Sequence, residues 1–225
     1  MKKKFAIVLA GCGNIDGSEI TETVCLSIAL RQLGGDVQFF APQLNYAAKI
    51  YPQQQHLPIA MELKDQKRNT LLESARIARG EVRNLEELKE SEFDAVVFTG
   101  GKGVAVHLSN WASDGIYCKI LPLVERHIWA FHNASKPIAA VCIAPILLAK
   151  VLGKKGITIT LGNDENLIRE IEKTGIQHEV CSVEEYITDR ESKVITSPAY
   201  MYDNIGPHQV FAGLSAMCKE LYEMS

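Results

Sequence analysis

Runs that are largely or wholly apolar alternate along this chain with stretches of helical periodicity, and that alternation limits the possible folds more than any single motif does. Residues 5–10, 36–41, 93–98, 138–141 and 157–161 are short and rich in Val, Ile, Phe and Ala. A strand with one wet face alternates apolar and polar residues, whereas a strand covered on both faces reads as an unbroken apolar run. Strands of the second kind, separated by helices, form parallel units with crossover connections. The chain is therefore predicted to be α/β, a doubly wound, mostly parallel sheet with helices on both faces. A final pair, 176–181 and 193–196, reads as antiparallel. At 225 residues the chain suffices for one sizeable core, and no linker divides it, so one domain over 1–225 is expected.

Between the strands, glycine and proline mark the helix ends. A helix opens at Ser18-Glu19-Ile20, carries Val24, Cys25, Ile28 and Leu33 at helical spacing, and stops at Gly34-Gly35. Further helices are predicted over 67–79, with Leu71, Leu72, Ala75 and Ile77 on one side, over 116–133 with a bend at Pro122, over 165–174, and over 209–222 at the end. The segment 43–66, with Pro52, Pro58 and Gln53-Gln54-Gln55, reads as a polar excursion across the surface or the site. No chemistry follows from it.

A net charge of −3 with 23% charged residues gives no basic excess to attract nucleic acid. No apolar stretch reaches the length that spans a bilayer, and 5–10 is too short for the core of a signal peptide. A cytoplasmic protein is the expectation. The six cysteines form no C-x-x-C pair and have no histidine at zinc-ligand spacing, so they read as reduced thiols, with no metal and no cofactor implied.

One cysteine stands apart. The strand 138–141 breaks at Cys142 and is followed at once by a helix over 144–152, whose first turn suits Pro145. A residue in such a turn is lifted clear of the carboxyl edge of the sheet, facing the free N–H groups of the next helix. Those groups favour the thiolate, which is the nucleophile. The same residue also reads as one more small buried side chain.

Other residues gather at that edge. Gly11-Cys12-Gly13-Asn14-Ile15-Asp16-Gly17 follows the first strand, but its G-x-G-x-x-x-G spacing and the lack of an acid ending the second strand argue against a dinucleotide. Glu19 either complements the helix dipole, with Asp16-x-x-Glu19 as a capping box, or supplies an acid or base beside Cys142. Thr99-Gly100-Gly101 closes the third apolar run. The N–H of Gly101, with that of Ile143, is positioned to hold an oxyanion, although a tight turn alone would also need such glycines. The segment 111–115 reads as a loop over the site, and His107 is the histidine best placed to assist. His178 is a second candidate.

Taken together, Gly11-Cys12-Gly13 with Asp16-Gly17-Ser18-Glu19, the run from Arg68-Asn69 to Arg79-Gly80, Gly100-Gly101 with Leu108-Ser109-Asn110, Val141-Cys142-Ile143-Ala144-Pro145, and Thr196-Ser197-Pro198-Ala199-Tyr200-Met201 resemble one family over nearly the whole chain. It is ElbB, a bacterial branch of the PfpI and class I amidotransferase-like superfamily. The resemblance implies a flavodoxin-like sandwich, a homodimer, Cys142 at the nucleophile elbow and Glu19 as its paired acid. It also implies a glyoxalase that needs neither glutathione nor metal and turns glyoxal, or a related 2-oxoaldehyde, into a 2-hydroxy acid such as glycolate. A role in isoprenoid biosynthesis is attached to the family by name. Peptidase-like members of the superfamily carry a histidine directly after the cysteine, where this chain has Ile143, and no triad histidine follows 157–161. Expelling an amine requires a general acid that Ile143 cannot supply. The alternatives are a non-catalytic, redox-responsive or ligand-binding protein of the same fold, and an amidotransferase subunit.

Overall fold

The computed structural model describes residues 2–64 and 66–225. Its centre is a seven-stranded sheet. In chain order the strands and helices are β1 (Lys4–Val8), α1 (Ile20–Gln32), β2 (Asp36–Ala41), β3 (Asn45–Ala47), α2 (Pro58–Leu63), β4 (Lys67–Asn69), α3 (Thr70–Ile77), β5 (Val82–Asn84), β6 (Ala95–Phe98), α4 (Trp111–Asp114), α5 (Pro122–Asn133), β7 (Ile138–Val141), α6 (Pro145–Leu152), β8 (Thr158–Ile159), α7 (Glu165–Glu172), β9 (Gln177–His178), β10 (Ile187–Asp189), β11 (Val194–Ser197) and α8 (Pro207–Met224). The main sheet has the order β10-β11-β7-β6-β1-β2-β5. All neighbours in it are parallel except β10 with β11.

The pleat sorts each strand between two cores. Phe5 and Ile7 of β1 face α1 and α8, together with Leu26, Leu30, Leu214 and Met217. Ala6 and Val8 face α5 and α6, with Val124, Ile128, Phe131 and Leu148. Helices therefore cover both faces, as the flavodoxin-like α/β arrangement requires. Fully burying one such Phe, Ile or Leu contributes roughly 1.5–3 kcal/mol. That burial is what excludes a polar face from these strands.

The structure redraws several expected elements. Residues 67–79 are not one helix, because β4 pairs antiparallel with β3 before Asn69 caps α3. Helix α3 buries Thr70 and Ser74 and leaves Leu72 exposed. Pro122 does not bend a long helix; it starts α5 at its first turn, where a missing N–H costs nothing. The expected antiparallel pair is also different: β11 pairs with β10, while β9 pairs parallel with β8. Segment 43–66 contains β3 and α2 rather than irregular chain alone.

Strand order reverses beside β1. From β1 the chain moves to β2 on one side, and later to β6, β7 and β11 on the other. The carboxyl ends of β1, β6 and β7 meet at this switch, the usual ligand crevice of an open parallel sheet.

Candidate functional site

Cys142 occupies the junction of β7 and α6 with a φ of 58°. A non-glycine residue in that left-handed region is strained, and such strain persists only where the surroundings over-determine it. Here the Cys142 N–H donates to the Ser197 carbonyl at 2.9 Å, tying the elbow to the end of β11. The N–H groups of Gly101 and Ile143 donate toward the sulfur.

The carboxyl group in contact with the thiol belongs to Glu22, not to Glu19. Glu22 is 0% exposed. Its Oε2 accepts from Gly100 N–H at 3.1 Å, its Oε1 accepts from Tyr200 N–H at 3.4 Å, and the Cys142 thiol donates to it. Gly100 is obligatory for this approach, since a Cβ there would collide with both Cys142 Cβ and Glu22 Oε2. Glu19 lies one turn earlier as the N-cap of α1, its Oε2 accepting from Glu22 N–H at 2.7 Å. Half-buried, it also lines the cavity above Cys142.

Helix phase explains why the sequence pointed to Glu19 and passed over Glu22. The buried face of α1 is Glu22, Cys25, Leu26, Ala29 and Leu30, while Val24 and Ile28, expected on the apolar side, are 40% and 43% exposed. An acid at position i of an i, i+3, i+4, i+7 apolar stripe was the available signal. Asp16 likewise does not cap α1: its Oδ2 accepts from Lys49 N–H at 2.7 Å.

The electrostatics of the pair are those of a dry site. Burial, and then the charge of Glu19, push the Glu22 carboxyl up to about 8. Burial, and then Glu22, push the Cys142 thiol well above its ordinary value, outweighing the Gly101 and Ile143 N–H groups that lower it. The expected depressed thiol is thus reversed, because desolvation penalises the anion more than two N–H donors reward it. Burial also raises the Glu19 carboxyl.

A cavity of about 420 Å³ opens over this pair, walled by Trp111, Val106, Tyr200 and Met201, with Asn14, Lys49 and Lys102 contributing polar groups. Helix α4, expected as a loop over the site, contributes Trp111 and Ala112. No histidine lines the cavity. His107 Nε2 lies 2.8 Å from the Asp16 carbonyl oxygen and its ring packs on Tyr46, which turns it to holding the glycine loop. His178 sits on β9, where Nε2 accepts from Leu161 N–H at 2.9 Å. Cys25 and Cys218 are buried in the core between α1 and α8, as expected, and all six cysteines are free. Among the described residues no group of three or more His, Cys, Asp or Glu is placed to hold a metal ion, and no helix is long and apolar enough to cross a membrane.

No protein-family model matches the chain. Whole-chain relatives exist nonetheless. The ES1 protein homolog, mitochondrial, of Rattus norvegicus is 37% identical over 233 residues, covering 100% of this chain and 85% of the relative. The glutamine amidotransferase-like class 1 domain-containing protein 3, mitochondrial, of Homo sapiens is 37% identical over 231 residues, covering 99% of this chain and 83% of the relative. Among solved structures, an isoprenoid biosynthesis protein with amidotransferase-like domain from Ehrlichia chaffeensis is 33% identical, with a TM-score of 0.86 over 99% of each chain. Both named relatives are mitochondrial, which overturns the expectation of a cytoplasmic protein drawn from sequence composition. With identity above 30% over nearly the whole chain and a shared fold, this chain belongs to the ES1 and ElbB family of class I glutamine amidotransferase-like proteins.

Proposed function

We propose that the protein is a cofactor-independent glyoxalase in which Cys142 is the nucleophile. The supporting observation is the contact of a strained elbow cysteine with the buried Glu22 carboxyl beneath a cavity that Glu19 also lines. An aldehyde carbon is electrophilic enough to need no expelled amine, so the lack of a cavity histidine is no obstacle.

The reaction begins when Glu22, as carboxylate, takes the thiol proton while sulfur bonds to one carbonyl carbon of glyoxal. The developing alkoxide is stabilised by the Gly101 and Ile143 N–H groups and then receives the proton from Glu22, giving a hemithioacetal. Glu19 removes the hydrogen from that carbon as a proton while the neighbouring carbonyl oxygen gains one, forming an enediol; the proton then returns to the neighbouring carbon as the hydroxyl on the sulfur-bearing carbon loses its own and becomes the thioester carbonyl. The product is a glycolyl thioester. Water opens it, the Cys142–carbon bond breaks, and the sulfur regains a proton. Glyoxal plus water thereby becomes glycolic acid with no external oxidant or reductant.

The amidotransferase reading loses support because no histidine is available in the cavity to protonate a departing amine. Purified protein is expected to convert glyoxal to glycolate, and Cys142→Ala to show no conversion. An unchanged rate in that variant removes the proposed role of Cys142.

A further inference from the structure

Glyoxal fills only a fraction of the site. Cavities of roughly 300–1,000 Å³ suit ligands of many heavy atoms, and the space above Cys142 is about 420 Å³, whereas glyoxal has two carbons and two oxygens. Its far walls are apolar, from Trp111, Val106 and Met201, and its charged lining is two lysines against one carboxyl, Glu19.

The backbone at both lysines is anchored to the glycine loop. Lys49 N–H donates to the buried Asp16 carboxylate at 2.7 Å, and Lys102 N–H donates to the Asn14 carbonyl at 2.8 Å. The Asp16 carbonyl oxygen is in turn held by His107. Among the described residues, neither ammonium group has a carboxylate within 4.0 Å. A second cavity of about 580 Å³ shares Lys49 and adds Lys64 to the same rim. Asp16 and His107, read from sequence as a helix cap and an accessory catalytic group, thus anchor the backbone at Lys49, a residue of the cavity lining.

We propose that the substrate of Cys142 is an anionic carbonyl compound, carrying a carboxylate or phosphate beyond the reacting carbon, and that Lys49 and Lys102 select it. This rests on Cys142 being the reacting group in that cavity. Glyoxal is then a minimal surrogate, accepted for its electrophilic carbon and lacking the group the site recognises. A rim of net positive charge, over walls of low dielectric, raises the local concentration of a counter-charged ligand by roughly tenfold or more.

The test uses two alkylating probes of similar size, iodoacetate and iodoacetamide, which differ in one charge. Labelling of the Cys142 peptide in the folded protein is measured by mass spectrometry, with urea-unfolded protein as the reference for intrinsic reactivity. The iodoacetate-to-iodoacetamide ratio is expected to exceed the reference by about tenfold. It should fall toward the reference in the Lys49→Gln/Lys102→Gln double variant and persist in Lys49→Arg/Lys102→Arg. Raising the ionic strength from about 0.01 M to about 1 M, which shortens the screening length from about 30 Å to about 3 Å, should also abolish it. A ratio at or below the reference, a bias that survives loss of both lysines, or no labelling by either probe overturns the proposal. Glyoxal turnover in the same preparations separates the two claims: turnover without bias refutes anion selection alone, and bias without turnover refutes the glyoxalase reading alone.

Discussion

Glu22→Gln tests the electrostatics of the site through stability, independently of any substrate. In the folded protein the Glu22 carboxyl is pushed up to about 8, against an ordinary value near 4.5. Between those values the native state holds a proton that the unfolded chain has released. Stability conferred by an acid of raised pKa is therefore lost as pH rises above 4.5, until the native carboxyl also ionises near 8. Each pH unit in that window costs about 1.4 kcal/mol. From about pH 4 to about pH 7 the wild type should lose about 3 kcal/mol relative to the glutamine variant, which has no proton to release. The variant also disturbs the hydrogen bonds from Gly100 and Tyr200. That cost does not vary with pH, so it cancels when the gap between the two proteins is compared across pH. The assay is urea unfolding of both proteins at a series of pH values, with free energies from linear extrapolation. A gap constant to within about 0.5 kcal/mol, or one that moves in favour of the wild type as pH rises, would refute the claim that burial keeps this carboxyl protonated.

The same titration should appear in catalysis. For glyoxal, kcat/KM is expected to rise with pH through an inflection near 8, as Glu22 becomes able to take the thiol proton. Glu22→Gln should lose that inflection and about 10²–10⁴-fold in rate; an unaltered profile in the variant would assign the proton to another group. For the homodimer implied by family resemblance, we propose that one face of α1 is the contact. Ile20, Val24 and Ile28 make an exposed apolar stripe along α1, and sedimentation equilibrium is expected to give twice the 24.9 kDa chain mass. Val24→Glu should shift that mass toward the monomer, and a monomeric wild type would leave the stripe without this role.

Much of this protein was legible one residue at a time. The unbroken apolar runs 5–10 and 138–141 announced strands covered on both faces, because a doubly buried strand has no polar side to display. The break at Cys142 followed by Pro145 announced an elbow, because backbone conformation at a strand-to-helix turn is set locally. Gly100 and Gly101 were marked by their residue type. Residues 138–141 and 36–41 were bounded as the structure has them for the same reason.

The remainder was decided by how the elements pack. Whether Glu19 or Glu22 meets the sulfur depends on the rotation of α1 against α8 and the sheet, and one turn of helix separates the two. Sequence placed Val24 and Ile28 on the apolar side, where the tertiary structure put Glu22. The sign of the thiol's shift could not be read from the helix that follows it, since the opposing term is desolvation by residues far apart in the chain. Segment 43–66 carried no local chemical signal, yet the buried carboxylate of Asp16 brings its Lys49 to the cavity. Local sequence fixes backbone shape and which residues must be covered; the charge, protonation and reach of a site depend on what the rest of the chain folds around it.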